Sequence, residues 1–454
     1  MPVQEGMGGS RPFGLGTTPQ TAKRIEQQAG YRITETMQDT ELYKLLLGLA
    51  HPWYVTRVDF DQQNRRIDVW TEAVKGVKFP CPECSQQRSV YDHGDEQVWR
   101  HLDSCDCRTY LHARLPRVNC PEHGAKQIQA PWAGARLRFT LQFESRTIDV
   151  LKECDVTGTM RLLGTKWDQT WEVMDRAVAR GLDRKEHRVP EYIGIDEKSF
   201  AKGQDYETIV CDLQRGTVEF VVDDRVEDSL QQYYDAFTEE ELTTIKGIAM
   251  DMWPNYINVT MREVPGAEDK IVFDRFHATR YVTDAVDKVR RDEHKALNQQ
   301  GDGSLKKTKY IWLKNKENLS ENQREIFAQV RKLNLKTGRA WAIKEALRDF
   351  WEYTYPACAA KHFNWWYNWA THSRLPPMIA AAKTLKRHLH NLLTYFKHHI
   401  TNACAEGINS KIQTIKQMAC GYRNREHYRI AIYFHCGGLD LYPRVGELRS
   451  SGAG

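Results

Sequence analysis

The stretch Tyr192-Ile-Gly-Ile-Asp-Glu-Lys-Ser-Phe200 carries the pattern from which the rest of the chain can be interpreted. It begins with a short apolar run that predicts a buried strand, and Asp196 closes that run. The stretch Lys246-Gly-Ile-Ala-Met-Asp-Met-Trp253 repeats the pattern and ends its apolar run with Asp251. Both stretches therefore predict an aspartate at the end of a buried strand.

A third acidic residue, Glu406, lies near the start of a segment with helical periodicity, Thr401-Asn-Ala-Cys-Ala-Glu-Gly-Ile-Asn409. Two carboxylates at adjacent strand ends and one from a helix can hold two Mg²⁺ (or Mn²⁺) ions a few Å apart. Such an ion pair drives phosphodiester chemistry because it clamps the attacking and the leaving oxygen. Asp196, Asp251 and Glu406 are therefore the predicted catalytic metal ligands. Glu197 is expected to face the other side of its strand and not to bind metal.

The composition is that of a folded protein with several units. The chain has 454 residues, 41% hydrophobic residues and a net charge of +5. No apolar run approaches the roughly 20 residues that cross a bilayer, so a membrane partner is not expected. The first residues are rich in glycine and have no apolar signal-peptide core, which predicts a tail. Eleven Cys without a secretion signal indicate a reducing compartment and metal binding, so we expect a cytoplasmic protein.

The order of predicted elements gives the fold class. Three strands, 192–199, 206–213 and 217–222, are followed by a helix, a strand ending at Asp251 and another ending at Phe273. This order is the one that an RNase H-like mixed sheet requires. The long helical stretch that follows must return the chain to this sheet if Glu406 is to join the two aspartates. We therefore expect a multidomain α+β protein with an RNase H-like catalytic core and a large helical insertion.

The predicted organisation has seven parts. They are a disordered tail (1–36), an αβ and zinc-binding domain (37–128), a helix-turn-helix domain (129–188), the first part of the catalytic core (189–278), the helical insertion (279–396), the closing part of the core with the Glu406 helix (397–445) and a second tail (446–454).

Two short cysteine motifs predict a structural zinc site. Cys81-Pro-Glu-Cys84 and Cys120-Pro-Glu-His123 are matched knuckles, and each offers two ligands to one ion. Four sulfur and nitrogen ligands form the closed tetrahedral site of a structural Zn²⁺. Cys105 and Cys107 are expected to lie on a strand and not to bind one ion together. Cys105 and His101 remain alternatives to His123.

The segment from Ile148 to Met174 has a helix, turn, helix, turn, helix pattern. Gly164-Thr165 interrupts it where the turn before a recognition helix falls, and Thr165 is a predicted N-cap. DNA contacts are expected at the start of the last helix, from Lys166, Gln169 and Thr170. A three-helix bundle without DNA contacts is the alternative.

The region around Glu406 is basic. Between residues 383 and 429 there are nine Lys or Arg side chains against two glutamates. Such a run is commonly a solvated helix face, but around a metal-binding Glu it indicates a surface for phosphates. The DNA contacts predicted here are Asn409, Lys411, Lys416 and Arg423, although Lys411 is equally well explained as a solvated charge.

From about residue 40 to 445 the chain resembles DDE transposases of the ISL3 family of insertion sequences. The resemblance lies in the zinc knuckles with His101-Leu-Asp103, in Arg161-Leu-Leu-Gly164, in Gly194-Ile-Asp-Glu197 and in Met250-Asp-Met-Trp253. It continues in Phe273-Asp-Arg-Phe-His277, Asn315-Lys-Glu-Asn-Leu-Ser320, Arg339-Ala-Trp341, Ala405-Glu-Gly-Ile-Asn-Ser-Lys-Ile412 and Gly421-Tyr-Arg-Asn424.

The resemblance implies a bacterial enzyme that binds the terminal inverted repeats of its element, cuts there and joins the ends to target DNA. It places the metal-binding triad on Asp196, Asp251 and Glu406. It also implies a supporting role for Asp274 and His277: His277 orients the scissile phosphate or supports the sheet, and Asp274 caps a helix. At least a dimer is expected on DNA, with the protein near the nucleoid.

Two other functions fit parts of the sequence. One is a DNA-binding regulator with an inactive RNase H-like domain. The other is a structure-selective nuclease on the same fold, which has no need for a module that recognises DNA ends.

Overall fold

The computed structural model describes residues 38–134, 137–200, 205–333 and 335–444, so both predicted tails lie outside the described residues. These residues fall into two compact units, one up to Phe143 and one from Glu144 onward. The boundary lies within a helix, whereas the zinc-binding domain is predicted to end at residue 128. Thr140, just before this boundary, contacts the first unit, because its hydroxyl lies 2.9 Å from the His101 Nδ1 atom.

The first unit is a mixed sheet with a small zinc-knuckle hairpin. Its elements are α1 (Asp39–Leu46), β1 (Trp53–Asp61), β2 (Arg66–Ala73), β3 (Phe79–Pro80), β4 (Gln87–Arg88), β5 (Val90–Arg100), β6 (Arg108–Cys120), β7 (Gly124–Gln127) and the start of α2 (Leu141–Glu153). The strand order is β1-β2-β6-β5, and β7 pairs with β6. Strands β2 and β6 are parallel and the other pairs are antiparallel.

The predicted strand through Cys105 and Cys107 is wrong. Both residues lie in a tight turn that precedes β6, closed by hydrogen bonds between Ser104 and Cys107 in both directions (3.0 and 2.9 Å). Cys105 and Asp106 have φ angles of 49° and 61°. This backbone conformation suits a two-residue hairpin turn and not an extended strand.

The second unit opens with three helices, which are α2, α3 (Val156–Leu163) and α4 (Trp167–Asp183). The Asp155 side chain caps α3 by accepting a hydrogen bond from the Gly158 N–H, an interaction typically worth about 1 kcal/mol. Gly164 ends α3 in the left-handed region. Helix α4 begins one residue later than predicted, because Lys166 and not Thr165 occupies the N-cap position.

A five-stranded sheet follows, in the order β10-β9-β8-β11-β12. Its elements are β8 (Tyr192–Ser199), β9 (Tyr206–Asp212), β10 (Thr217–Asp223), α5 (Glu227–Tyr234), α6 (Glu239–Thr243), β11 (Gly247–Met250), α7 (Pro254–Glu263), a 3₁₀ turn (Ala267–Asp269) and β12 (Ile271–Phe273). Strands β8, β11 and β12 are parallel, whereas β9 runs antiparallel to β8 and to β10. The strands predicted from sequence are thus present, and they form one mixed sheet.

Helices make up the rest of this unit. They are α8 (Arg275–Gln299), α9 (Lys309–Leu313), α10 (Glu321–Arg331), α11 (Lys336–Arg348), α12 (Pro356–Thr371), α13 (Pro376–Arg387), α14 (Leu389–Leu393), α15 (Tyr395–His398), α16 (Ala403–Met418) and α17 (Arg425–Cys436), with 3₁₀ turns at Lys316–Asn318 and Asp349–Glu352. Buried residues of β8, β11 and β12 and of helices α8 to α15 form one hydrophobic core.

The tryptophans of the helical stretch divide into two groups. Trp341, Trp351 and Trp366 are buried in this core. Trp365 and Trp369 remain exposed on α12. Among the described helices, none combines the length and the apolar character that a membrane span requires.

Candidate metal centres

The two cysteine knuckles meet in the first unit. The ligand atoms of Cys81, Cys84, Cys120 and His123 all lie within 4.8 Å of one another. The Cys84 and Cys120 sulfurs are 3.7 Å apart, and the His123 Nδ1 atom lies 3.5 Å from the Cys120 sulfur. Sulfurs about 2.3 Å from a tetrahedral zinc lie about 3.8 Å from each other, so these four residues fit Zn²⁺.

Local backbone structure positions these ligands. The first knuckle lies between β3 and β4, where the Ser85 N–H donates to the Cys81 carbonyl at 2.8 Å. The second knuckle joins β6 to β7, and Gly124 closes it with a φ angle of 70°. A hydrogen bond from His123 is the main cause that lowers the pKa of Cys120 to about 6. Thiolate is the form that binds metal, so this knuckle is prepared for it.

The remaining Cys and His of this region stay apart from the cluster. Cys105 is exposed on its turn. His101 is buried beside Thr140, and burial lowers its pKa to about 4. Neither residue replaces His123 as a fourth ligand in this structure.

Strand register brings the two aspartates together in the second unit. Ile195 of β8 pairs with Met250 of the parallel strand β11, and the next residues along the two strands are Asp196 and Asp251. The third parallel strand adds a further carboxylate at this edge, since Asp274 follows β12 and its N–H donates to the Met250 carbonyl at 3.1 Å. Three adjacent parallel strands therefore bring one aspartate each to this edge: Asp196 lies within β8 where its pairing with β11 ends, and Asp251 and Asp274 directly follow β11 and β12.

Asp196 is half-buried at this edge of the sheet. Burial raises its pKa to about 6; the Glu197 N–H works against this, while the negative charge of Asp251 adds to it. One Asp196 oxygen accepts from the Glu197 N–H at 2.8 Å, and the other accepts from the Asn409 side-chain amide at 2.6 Å. The Glu197 side chain pairs instead with Arg225 at 3.1 Å, so it does not join the aspartates.

His277 links the other two aspartates. Its Nδ1 atom lies 2.5 Å from an Asp251 oxygen and 3.4 Å from an Asp274 oxygen. Burial alone lowers the pKa of His277, but the hydrogen bonds and charges of Asp251 and Asp274 outweigh it and raise the pKa to about 10. The imidazole is therefore a cation at neutral pH and offsets the charge of two carboxylates.

Asp274 also fixes two helices. One of its oxygens caps α8 by accepting from the Phe276 and His277 N–H groups at 2.6 and 3.0 Å. The other accepts from the Asn402 N–H at 3.3 Å, at the start of α16. A capping role was one of the predictions for Asp274, and the second contact was not foreseen.

These contacts set the position of Glu406. Helix α16 is held beside Asp274 through Asn402 and beside Asp196 through Asn409, and Glu406 lies between these two asparagines. Residues three and four apart on a helix are neighbours on one face, so Glu406 lies beside Asn409 on the surface of α16. Glu406 is exposed, and its carboxylate makes no hydrogen bond or ion pair among the described residues.

Asn402 was missed by sequence reasoning. It is fully buried, and neither its side-chain oxygen nor its nitrogen has a hydrogen-bond partner among the described residues. A β-carbon at Gly194 would lie 3.2 Å from the Asn402 oxygen and 2.7 Å from Leu213, so the glycine of Gly194-Ile-Asp leaves room for α16. The sequence contained a signal for its role, because Asn402 lies one helical turn before Glu406 and therefore on the same side of the helix.

The residues predicted to contact DNA at the start of α4 differ in their exposure to solvent. Lys166 is exposed at the start of α4, and Gln169 accepts a hydrogen bond from the Lys166 N–H at 3.0 Å. Thr170 is fully buried, and its hydroxyl lies 2.7 Å from that of Thr165, so the prediction that it faces DNA is wrong. A polar residue at this position closes the turn between α3 and α4.

The Lys and Arg side chains of the basic region around Glu406 also fall into two groups, those that contact other protein groups and those that remain free. Lys411 donates to the His435 carbonyl at 2.7 Å, and Lys416 donates to the Ser199 carbonyl at 3.0 Å, so both hold neighbouring segments together. Arg425 and Arg429 pair with acidic residues of β9 and β10. Arg423 is exposed and makes no ion pair among the described residues. Asn409 contacts Asp196 and belongs to the acidic site.

Two family models match the parts of the chain that contain these residues. Residues 193–432 match the DDE family model of ISL3 type, which is described as "Transposase". Residues 78–123 match a model described as the zinc-finger of transposases IS204, IS1001, IS1096 and IS1165. The first match spans the acidic residues and the second spans all four zinc ligands.

Two curated proteins are similar over most of the chain. The transposase for insertion sequence element IS1001 of Bordetella parapertussis is 26% identical over 85% of this chain and 96% of its own length. The transposase for IS1557 of Mycobacterium tuberculosis (strain CDC 1551 / Oshkosh) is 25% identical over 86% of this chain and 93% of its own length.

Proposed function

Because the chain belongs to the ISL3 family of transposases, we propose that it binds the terminal inverted repeats of its insertion sequence and catalyses DNA strand cleavage and strand transfer with Asp196, Asp251 and Glu406. The observation that carries this proposal is the attachment of the Glu406 helix to both sides of the acidic strand ends, through Asn402 and Asn409.

The sheet supports an RNase H-like core. Three antiparallel strands come first in the chain, two parallel strands follow, and the first strand lies at the centre of the sheet. Asp196 lies on this central strand at the point where its pairing with β11 ends, and Asp251 directly follows β11. The helices between residues 275 and 398 form the insertion that returns the chain to the sheet edge, where α16 begins.

The residues at this edge fit divalent metal of the Mg²⁺ or Mn²⁺ type. Carboxylate and amide oxygens are the donors that these ions prefer, and the Asn409 side-chain oxygen is buried without a partner among the described residues. Two ions bound there supply the activation of water or of a 3′-hydroxyl and the stabilisation of the leaving oxygen.

The protein groups around the triad have separate tasks in this proposal. Asp274 positions His277 and the start of α16. Cationic His277 stands beside Asp251 and offers a positive charge to a scissile phosphate. Asn409 orients the Asp196 carboxylate, which would be a metal ligand, by donating to one of its oxygens.

Recognition of the element ends is assigned to the helices α2 to α4 and to the zinc-binding unit. Lys166 and Gln169 stand at the start of α4, the position from which a recognition helix contacts the major groove. Arg423, on the loop before α17, is free for a phosphate. Since two ends of the element must be joined, the active form on DNA is at least a dimer.

A cleavage assay with labelled inverted-repeat DNA tests the proposal. Wild-type protein with Mg²⁺ is expected to cut at the element end, and Asp251→Asn is expected to bind the same DNA without cutting it. Equal products from both proteins would remove the triad assignment. Specific binding without products from either protein would favour a DNA-binding regulator, and cutting that depends on branched structure and not on the repeat sequence would favour a structure-selective nuclease.

A further inference from the structure

A cavity lies in the unit that carries the acidic site, and Asp196, Asp251 and Glu406 are not among the residues that line it. Its volume is about 520 Å³, and its walls come from the start of α3, from α4, from the end of α16 and from the loop into α17. Cavities of this size hold small organic ligands. Met418 of α16 and Trp167 of α4 face it from opposite helices.

One wall of this cavity is a stack of aromatic rings. Trp167 and Trp171 lie one helical turn apart with nearly parallel rings, 5.6 Å between centroids and 5° between planes. The His427 ring lies against both tryptophans, with centroids 4.1 Å from Trp171 and 5.7 Å from Trp167, and is tilted to each. Trp171 is buried, whereas Trp167 is 40% exposed, so part of the Trp167 indole is accessible. An open indole face is a platform for another flat ring.

Other residues of the cavity lining are polar. The Asn424 oxygen accepts from the Glu426 N–H at 2.8 Å, which leaves the amide nitrogen of Asn424 as a donor. His435 also lines the cavity, and burial together with the positive charge of Lys411 lowers its pKa to about 4. Its neutral ring offers one donor and one acceptor. A ligand that fits is therefore flat and carries hydrogen-bonding groups at its edge.

The rim supplies a positive charge. Arg423 is exposed, lines the cavity and has no ion-pair partner among the described residues. A guanidinium at this place suits a phosphate group attached to the flat ligand. An aromatic side chain of another protein satisfies the apolar wall but neither the polar edge nor the phosphate position.

We propose that this cavity receives one unpaired nucleobase of the bound DNA, stacked on Trp167 with its phosphate at Arg423. This inference rests on the proposed function. Glu406 and Met418 lie on the same helix, twelve residues and so about 18 Å apart. This length corresponds to about five base pairs of DNA, so the extruded base is expected about five positions from the cleaved phosphate.

Fluorescence of 2-aminopurine tests the proposal with Ca²⁺ in place of Mg²⁺, to avoid cleavage. Duplexes carry a single unpaired 2-aminopurine at successive positions on either side of the cleaved phosphate, and a fully paired duplex is the reference. The wild-type protein is expected to bind the duplex with the unpaired base about five positions away at least fivefold more tightly, in line with the roughly 1 kcal/mol or more of a base–aromatic stack. Fluorescence of that base is expected to be quenched.

Trp167→Ala is expected to lose this preference and the quenching. The matched control is Trp365→Ala, since Trp365 is also an exposed tryptophan one turn from a second one, on α12, with 5.6 Å between the ring centroids. It is expected to behave as wild type. Arg423→Ala, a surface change that leaves the stack intact, is expected to weaken binding of the unpaired-base duplex more than that of the paired duplex.

Three outcomes would overturn the inference. The first is that the wild type shows no preference for any unpaired base. The second is that both Trp167→Ala and Arg423→Ala keep the wild-type preference. The third is that free 2-aminopurine nucleotide binds as tightly as the unpaired-base duplex, which would indicate a small-molecule site. If Asp251→Asn still cleaves, the proposed function fails while the base preference stands. If cleavage requires Asp251 but no base preference exists, only this inference fails.

Discussion

The two candidate metal centres are built in opposite ways. At the zinc site, four ligand atoms lie within 4.8 Å of one another and face a common centre. At the acidic site the carboxylates face protein donors: Asp196 accepts from Asn409, Asp251 lies beside His277, and Glu406 is exposed. A site whose ligands converge within one compact unit serves stability. A site whose ligands come from distant parts of the chain and remain accessible is suited to substrate and metal together.

The largest effect is expected from removing a ligand of the zinc site. His123→Ala is expected to abolish zinc binding and to unfold the zinc-knuckle region, because structural zinc contributes about 10 kcal/mol or more to such small sites. Metal analysis and thermal unfolding of the full chain measure this. Cys105→Ala is the control, since Cys105 is exposed on its turn, and it is expected to keep both zinc and stability. Full zinc content in His123→Ala would mean that another residue completes the site.

A smaller effect is expected from a change in the acidic site. This change is expected to affect activity and not folding. Glu406→Gln is expected to lower the DNA cleavage rate about a thousandfold, or about 4 kcal/mol in activation free energy, because metal clamping requires the charge. Its melting temperature is expected to stay near that of wild type, since Glu406 makes no side-chain hydrogen bond among the described residues.

Glu426→Gln is the matched control for that experiment. Glu426 is also an exposed glutamate in the first turn of a helix of the basic region, and it pairs with Arg429 at 3.0 Å. Its replacement removes the same charge and is expected to leave cleavage within a few-fold of wild type. Similar losses in both variants would show that overall charge, and not metal binding, matters at Glu406.

The smallest effect is expected from replacing His277, the cation that lies beside Asp251 and Asp274. The pKa of His277 is raised to about 10 in the folded chain, so its contribution to stability is complete below the unfolded-state pKa of 6.5 and is lost as pH rises through about 10. In buffer without Mg²⁺, the stability difference between wild type and His277→Gln is expected to be about 1–3 kcal/mol at pH 6.5 and to shrink toward pH 10.

Asp196 acts in a separate pH window. Because the pKa of Asp196 is raised to about 6, the stability linked to its protonation is present below 3.8 and lost as pH rises through about 6. Thermal unfolding at several pH values above 7 therefore reports on His277. A difference between wild type and His277→Gln that stays constant from pH 7 to 10 would contradict a cationic His277.

Much of this arrangement could be predicted from the sequence, and the reasons are local. The zinc ligands lie in two short motifs whose spacing leaves little freedom. Asp196 and Asp251 end apolar runs, and parallel pairing of such strands puts their ends side by side. The family match shows that the motifs around these residues belong to transposases.

The remaining features depend on contacts that no local pattern contains. The pairing of Asp274 with Asn402 joins residues far apart in the chain, and the Asn409 contact with Asp196 does the same. Thr170 was predicted to face DNA because a polar residue near a helix start is usually exposed, but packing of the turn between α3 and α4 buries it. The turn at Cys105 required left-handed backbone angles that alternating residues do not reveal.

The central claim is that Glu406 shares divalent ions with Asp196 and Asp251. Anomalous diffraction from crystals of the protein with DNA and Mn²⁺ tests it most directly. We predict two manganese peaks about 4 Å apart, with oxygens of all three carboxylates as ligands. Manganese bound to the two aspartates while the Glu406 carboxylate lies roughly 10 Å or more away would contradict the claim, since a bridged two-ion site cannot span that distance.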